Sequence, residues 1–286
     1  LFFALTLFPL YNIYAMEKNS QDTVSLYADV GNSTIDFLAV NGSEGKARKV
    51  DTHDKEAIFS YLSQFKGMDQ LSLTISSVNQ EGLSAILEFL STHQKTKNIF
   101  LVSKESREAY AAKLKRKVDN LSYLGTDLFC DIIAEENKTG EIIIDLGTAS
   151  KILYLSKENI FYGCLIFPGL SSFAEVLDKK TDQLGRVSLI PSPALVSLNT
   201  AECISSGTIN GGASRIAGLV KARKEKYGCK EAAVYLTGGN AYLVKDRLAR
   251  FGLKDFTYNP YHTRKGLRRF APVSHPFIIT NRRKQK

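Results

Sequence analysis

Two segments of the chain carry an apolar, strand-like run into the same short turn. In "EIIIDLGTASKILYL", residues 141–155, three consecutive isoleucines have the pattern of a strand buried on both faces. They lead into Asp145, Gly147 and Thr148 before apolar residues resume. In "SLYADVGNSTIDFLAV", residues 25–40, the same grammar runs through Asp29, Gly31, Ser33 and Thr34. A single copy reads most simply as a hairpin, the common use of Asp and Gly. Two copies with one Asp-x-Gly-hydroxyl order point to two similar halves that meet at a cleft, with a turn from each half facing it.

The intervening segments fit such halves. Residues 56–65 read as a helix, 71–78 as a buried strand, 79–94 as a helix capped by Asn79 with Glu81 in its first turn, 98–103 as a strand and 104–118 as a polar helix. After Glu141 come strands over 142–146 and 151–155, the apolar run 160–170, a helix over 171–177 and a polar loop with Pro191 and Pro193. The glycine-rich stretch 203–228 reads as a helical hairpin ending at Gly228. Residues 232–241 form a late strand that runs into Gly238 and Gly239, and 242–252 a helix closed by Gly252. Strands alternating with helices predict an α/β architecture: an extension over 1–23, domains over 24–139 and 140–269, and a basic tail over 270–286.

With 286 residues, 44% of them hydrophobic, the chain can bury a substantial core. The net charge of +9 resembles a nucleic-acid signal until it is located. Arg264, Lys265, Arg268, Arg269, Arg282, Arg283, Lys284 and Lys286 crowd the last stretch, which has no acid, so the body is near neutral and the tail reads as a solvated end before a nucleic-acid contact. Four cysteines without a C-x-x-C pair exclude a zinc pattern and read as reduced thiols. The opening "LFFALTLFPLYNIYA" lacks a basic leading segment and is too short to cross a bilayer as a plain helix, so a segment upstream of Met16 suits it better than a secretory signal ending at Ala15. No membrane partner and a cytoplasmic location are expected.

The turns suit phosphate chemistry. Their glycines let backbone approach a ligand closely, their amides and hydroxyls are donors, and an aspartate at a strand end can hold a cation or its water shell. A third acid, Asp127 in "YLGTDLFCDIIAEEN", follows Gly125 and Thr126 at a helix start. It is placed either to cap that helix or to take the proton of an attacking hydroxyl. Neither a P-loop nor a G-x-G-x-x-G fingerprint is present.

In their order, "DVGNS", "ISSV", "LGTD", "DLGTA", "GCLIFPGL", "NTAECISSG" and "LTGGNA" resemble the type III pantothenate kinase family, also called the Bvg accessory factor family, from Val24 to Leu267. The resemblance implies two ribonuclease H-like domains of the sugar kinase, Hsc70 and actin superfamily, a homodimer, and ATP-dependent phosphorylation of pantothenate in coenzyme A synthesis. By position, it gives Asp29 to Mg²⁺ and Gly31, Asn32, Ser33, Gly147, Thr148 and Ala149 to the ATP phosphates. Asp127 becomes the general base, Asp145 serves a monovalent cation, K⁺ or NH₄⁺, and Gly238 and Gly239 lie near the adenosine. Gly125, Thr126, Gly163, Pro168, Gly169 and Thr200 shape the pantothenate side.

The chain departs from the family pattern at four places. Asp36 stands where a phosphate-reaching basic residue is usual, Leu128 where an arginine helps bind pantothenate, Lys151 where a hydroxyl is usual, and Tyr154 in place of a polar residue. Each lost charge-assisted hydrogen bond is worth about 1.5–3 kcal/mol. Lys151 is the candidate to replace the phosphate contact, and Arg107, Lys113 and Arg186 are candidates for the pantothenate carboxylate. A catalytically silent, nucleotide-binding or regulatory homologue is the alternative to an active kinase.

Overall fold

The first strand, β1 (Val24–Val30), pairs antiparallel with β2 (Thr34–Asn41), which pairs with β3 (Glu44–Asp51). Its other edge takes β4 (Leu71–Ser77) in parallel, followed by β5 (Asn98–Leu101), giving the order β3-β2-β1-β4-β5. This computed structural model describes residues 24–41, 44–67, 71–93, 98–113, 124–135, 138–181, 187–191 and 193–270. The expected extension over 1–23 and the tail beyond Phe270 lie outside the described residues.

The second half repeats the plan. Strands β6 (Glu141–Leu146), β7 (Ala149–Leu155) and β8 (Phe161–Pro168) form an antiparallel meander, and β9 (Ala233–Thr237) and β10 (Thr257–Tyr258) add in parallel to give β10-β9-β6-β7-β8. In each sheet the strand that carries an Asp-x-Gly turn is central, which is why Val24–Val30 and Glu141–Leu146 are largely buried on both faces. The architecture is α/β, two ribonuclease H-like sheets with helices on their faces.

Helices α1 (Lys55–Ser63) and α2 (Gln80–His93) cover one face of the first sheet, with Ile58, Leu62, Ile86 and Phe89 packed on Leu26, Phe37 and Leu73. Asp54 caps α1 by accepting from the Ala57 N–H at 2.9 Å, and Asn79 accepts from Gly82 N–H at 2.9 Å as the sequence predicts. After β5 comes α3 (Lys104–Lys113), and α4 (Thr126–Ile133) leads into the second half. There α5 (Leu170–Lys180), α6 (Thr200–Lys226) and α7 (Ala241–Leu248) bury Leu170, Ile209, Ile216, Val220 and Val244 against Ile142, Ile144 and Leu236.

The predicted hairpin over 203–228 is one continuous helix, α6. Its glycines face neighbours or solvent instead of making a turn: a Cβ at Gly212 would stand 2.6 Å from Leu170 Cδ2, so close helix packing, not chain reversal, is what that glycine serves. The predicted end is correct, since Gly228 follows the last turn at φ +62°.

The last helix, α8 (His262–Phe270), returns from the second half and lies on α4, β1 and β4. Phe270 and Phe129 meet edge to face at 6.0 Å, inside a cluster that also holds Tyr27, Ile143 and Leu153 from the two sheets. This third core joins the halves behind the cleft. Among the described residues no helix is long and apolar enough to cross a membrane.

Candidate active site

The carboxyl ends of the two central strands bring both Asp-x-Gly turns to one place. In the first, Gly31 N–H donates to Thr34 O at 3.0 Å and Thr52 Oγ1 donates to Gly31 O at 2.9 Å, which fixes the turn against the end of β3. His53 braces it from outside, with Nε2 3.2 Å from Asn32 O and Nδ1 2.7 Å from Glu81 Oε2. In the second, Gly147 N–H donates to Ala149 O at 3.1 Å. The tips touch: Ser33 Oγ and Thr148 Oγ1 are 3.0 Å apart.

The second turn is clamped by the loops beside it. Gly169 N–H donates to Thr148 O at 2.9 Å, and a Cβ at Gly169 would fall 2.1 Å from Gly147 O. Gly238 turns with φ +93° so closely over β6 that a Cβ would fall 2.4 Å from Leu146 N. Beyond it Asn240 N–H donates to Leu146 O at 2.8 Å and its Nδ2 to Gly147 O at 3.2 Å. Asn240, inside "LTGGNA" but not singled out in the sequence, is thus a structural hub of the turn. An asparagine directly after a double glycine is the signal that could have marked it.

Asp127 sits in the first turn of α4, behind an N-cap glycine, Gly125. Thr126 Oγ1 anchors this start to β4 by donating to Ser77 O at 2.8 Å, and Asp127 Oδ1 accepts from the Leu128 N–H at 2.8 Å. Arg107, a candidate for the pantothenate carboxylate, is buried, and its guanidinium donates to the carbonyls of Ser103 and Leu124. It therefore shores up the Gly125–Asp127 turn. Lys113 lies at the end of α3, and Arg186 lies outside the described residues.

Lys151 occupies the centre. It is directly cross-strand from Asp145, and its ammonium lies 2.7 Å from Asp145 Oδ2 and 2.7 Å from Asp127 Oδ2. Burial works against this charge, but Asp145 and Asp127 hold the ammonium well above the ordinary lysine range. Lys151, the candidate for the phosphate contact, is held by two carboxylates. Asp145, which the resemblance assigns to a monovalent cation, has its Oδ2 on this ammonium, so the space between the two acids already holds a positive charge.

Asp29 completes the set from the end of β1. Removal from water raises its carboxyl to about 7, and Asp127, Asp36 and Asp145 add to the effect while Lys151 opposes it. Such a carboxyl is short of positive charge, which fits a divalent cation. Among the described residues no group of three or more His, Cys, Asp or Glu could hold a metal alone, so any Mg²⁺ would share its coordination with phosphate oxygens.

At Asp36, the position where a basic residue was expected, a lysine arrives from the next strand. Lys49 pairs with Asp36 in the β2–β3 register, its ammonium is 3.4 Å from Asp36 Oδ2, and a Cβ on Gly239 across the cleft would be 3.3 Å from it. Register, which the sequence does not print, is what places it.

The remaining predicted positions spread outward. Pro168 pairs with Ala149 beside the second turn, whereas Gly163 pairs with Tyr154 toward the other end of β8, roughly 17 Å along the strand. Thr200 begins α6 and lines an open apolar groove of about 370 Å³ with Phe173, Leu177, Leu198, Cys203 and Ile204, apart from the carboxylates. Tyr154 stacks with Tyr227 at 5.1 Å, so its ring serves packing.

The arrangement has structural relatives. A Campylobacter jejuni protein described as a Baf family transcriptional activator superposes with a TM-score of 0.52 at 20% identity, over 86% of this chain and 97% of that one. A non-polymerisable pCBH ParM mutant superposes with a TM-score of 0.50 at 8% identity, over 87% of this chain and 99% of that one, a likeness of fold. In sequence, the type III pantothenate kinase of Thermosipho africanus is 31% identical over 241 residues, 82% of this chain and 92% of the relative. The type III pantothenate kinase of Sulfurihydrogenibium sp. is 29% identical over 238 residues, 78% of this chain and 91% of the relative. The sequence model of the type III pantothenate kinase family matches residues 25–222, the span that carries both turns, Asp127 and most of α6. This chain belongs to the type III pantothenate kinase family.

Proposed function

We propose that the chain transfers the γ-phosphoryl group of ATP to the primary hydroxyl of pantothenate, giving 4′-phosphopantothenate for coenzyme A synthesis. The observation that carries the reading is the convergence of Asp29, Asp127 and Asp145 where Ser33 and Thr148 meet at 3.0 Å. The Ser33 and Thr148 hydroxyls and the N–H groups at the turn tips cradle the phosphate chain, with Gly31, Asn32, Gly147 and Ala149 shaping the turns, and Gly238 and Gly239 clear room for the adenosine. Asp29, together with the phosphates, would hold Mg²⁺, which would supply charge neutralisation for the transferring group.

Asp127 takes the hydroxyl proton. Each of its oxygens accepts one hydrogen bond in the free protein, from Leu128 N–H and from Lys151, and a carboxylate oxygen has a second acceptor site for the substrate. Gly125, Thr126, Pro168 and Gly169 form the pantothenate side beside the turns, with Gly163 and Thr200 farther out along β8 and at the start of α6. The enzyme acts in the cytoplasm, a reading that suits four free cysteines. It works as a homodimer, supported by the exposed Ile166, Phe173, Val176, Leu195, Val196 and Leu198 on the second half.

The test is ATP consumption coupled to 4′-phosphopantothenate formation with Mg²⁺, beside Asp127→Asn. Turnover is expected for the natural chain and a loss of about 10²–10⁴-fold for the variant, with ATP affinity retained. Saturable ATP binding without turnover in the natural chain would favour the silent-homologue alternative.

A further inference from the structure

We propose that the Lys151 ammonium is the chain's own cation at the Asp127–Asp145 pair, so that nucleotide binding and turnover need no exchangeable monovalent cation. The turnover part rests on the kinase reading; the binding part does not.

Three features place a cation there and exclude a second. Lys151 and Asp145 face each other across β6 and β7, so the side chains leave one face of the sheet together. The lysine stem then reaches over Asp145 to the start of α4, and its nitrogen ends 2.7 Å from one oxygen of each acid. All three groups are enclosed, with side chains only 16%, 16% and 11% exposed for Lys151, Asp127 and Asp145.

An ammonium on a side chain makes contacts of the kind a free NH₄⁺ would make, and two are present, one to each carboxylate. Because it is tethered, it loses no translational freedom on arrival, unlike a free ion drawn from solution. Displacing it would leave a lysine charge unpaired in an enclosed site, the costly half of breaking a buried ion pair. It also ties Asp127, from the first half, to Asp145 in the second. The lysine is thus a positioning residue that holds the proposed base against the second turn.

The experiment compares the full chain with Lys151→Ser and Lys151→Met in KCl, NH₄Cl, methylammonium chloride and tetramethylammonium chloride at one ionic strength. Mg²⁺-ATP affinity by calorimetry, melting temperature and phosphorylation rate are read in each salt. For the natural chain all three are expected to agree across salts, the affinities and rates within about twofold. Lys151→Ser should lose about tenfold or more in affinity or rate in tetramethylammonium. It should regain much of this, and rise in melting temperature, with K⁺, NH₄⁺ or methylammonium. Lys151→Met, which fills the space without charge, should not be rescued.

A natural chain whose ATP affinity or melting temperature depends on K⁺ overturns the proposal even if no variant folds. So does a Lys151→Ser variant that is unimpaired in every salt, or impaired and not rescued. Absence of phosphorylation in all salts would count against the kinase reading alone, since affinity and melting temperature still decide the role of Lys151.

Discussion

Ser33 and Thr148, each at the tip of a turn that ends a central strand and 115 positions apart in the sequence, stand hydroxyl to hydroxyl at 3.0 Å. Neither is held by packing, since both sit at the exposed mouth of the cleft, so this contact is free to open when a ligand offers better acceptors. Phosphate oxygens are such acceptors, because hydrogen bonds to charged groups are stronger than hydroxyl pairs. Ser33→Ala and Thr148→Val should each weaken Mg²⁺-ATP binding by about 1–2 kcal/mol while changing stability by less than about 1 kcal/mol. Calorimetric titration beside denaturant unfolding separates the two effects.

Lys49 offers a second check on the cleft. It spans from Asp36 to the neighbourhood of Gly239, and half its side chain is exposed. Pairs of this kind contribute little to stability, about 0–1 kcal/mol. Lys49→Met should therefore leave the melting temperature nearly unchanged and lower ATP affinity about three- to tenfold, with a difference that shrinks as salt is raised. An unaltered nucleotide affinity would show that the lysine serves Asp36 alone.

Steric closeness makes the next expectation larger. Gly238→Ala adds a Cβ 2.4 Å from the Leu146 backbone at a positive φ, and Gly169→Ala adds one 2.1 Å from Gly147 O. Backbone cannot step aside as a flexible side chain can, so each variant should lose roughly 2–4 kcal/mol of stability and bind nucleotide poorly. Thermal unfolding with and without Mg²⁺-ATP measures both. Gly163→Ala provides contrast: a Cβ there meets nothing within 4 Å, so only its φ of +110° counts against it.

Much of this was legible in residues and some was not, for physical reasons. The buried run Ile142–Ile144 and the Asp-x-Gly turns marked the central strands because burial on both faces and tight-turn chemistry are local properties. The 27-residue α6 was misread because glycine is a local signal for both a turn and a close helix contact, and only the position of Leu170 decides between them. Lys151 was visible as a departure, but its partner depended on where α4 begins relative to β7. Lys49 was hidden by register, since residues opposite each other on paired strands are set by the hairpin and not by any nearby motif.

The junction between the halves should carry a pH signature through His262. This ring is fully buried on α8, its Nε2 lies 3.1 Å from Asp131 O, and it packs on Tyr235 at 5.2 Å. Burial pushes its pKa from 6.5 down to about 4, although Glu135, 4.0 Å from Nδ1, works the other way. With the folded value depressed, the neutral ring contributes its full stability above about pH 6.5. As pH falls below that, the unfolded chain takes up a proton that the folded one refuses, and the contribution is lost progressively until about pH 4. The total is roughly 3 kcal/mol, at 1.36 kcal/mol per unit. His262→Phe keeps a ring against Tyr235 but cannot titrate, and it leaves the Asp131 carbonyl without that donor, a cost of about 1–3 kcal/mol at neutral pH. The buried Asp131 and the Lys265–Glu135 pair are common to both proteins and cancel to first order. Urea unfolding from pH 7.5 to 4.5 should therefore show the natural chain ahead at pH 7.5 and its lead shrinking by about 2–3 kcal/mol on acidification. A constant difference across that range would mean that His262 titrates alike in the folded and unfolded chain, and that water reaches the ring between the halves.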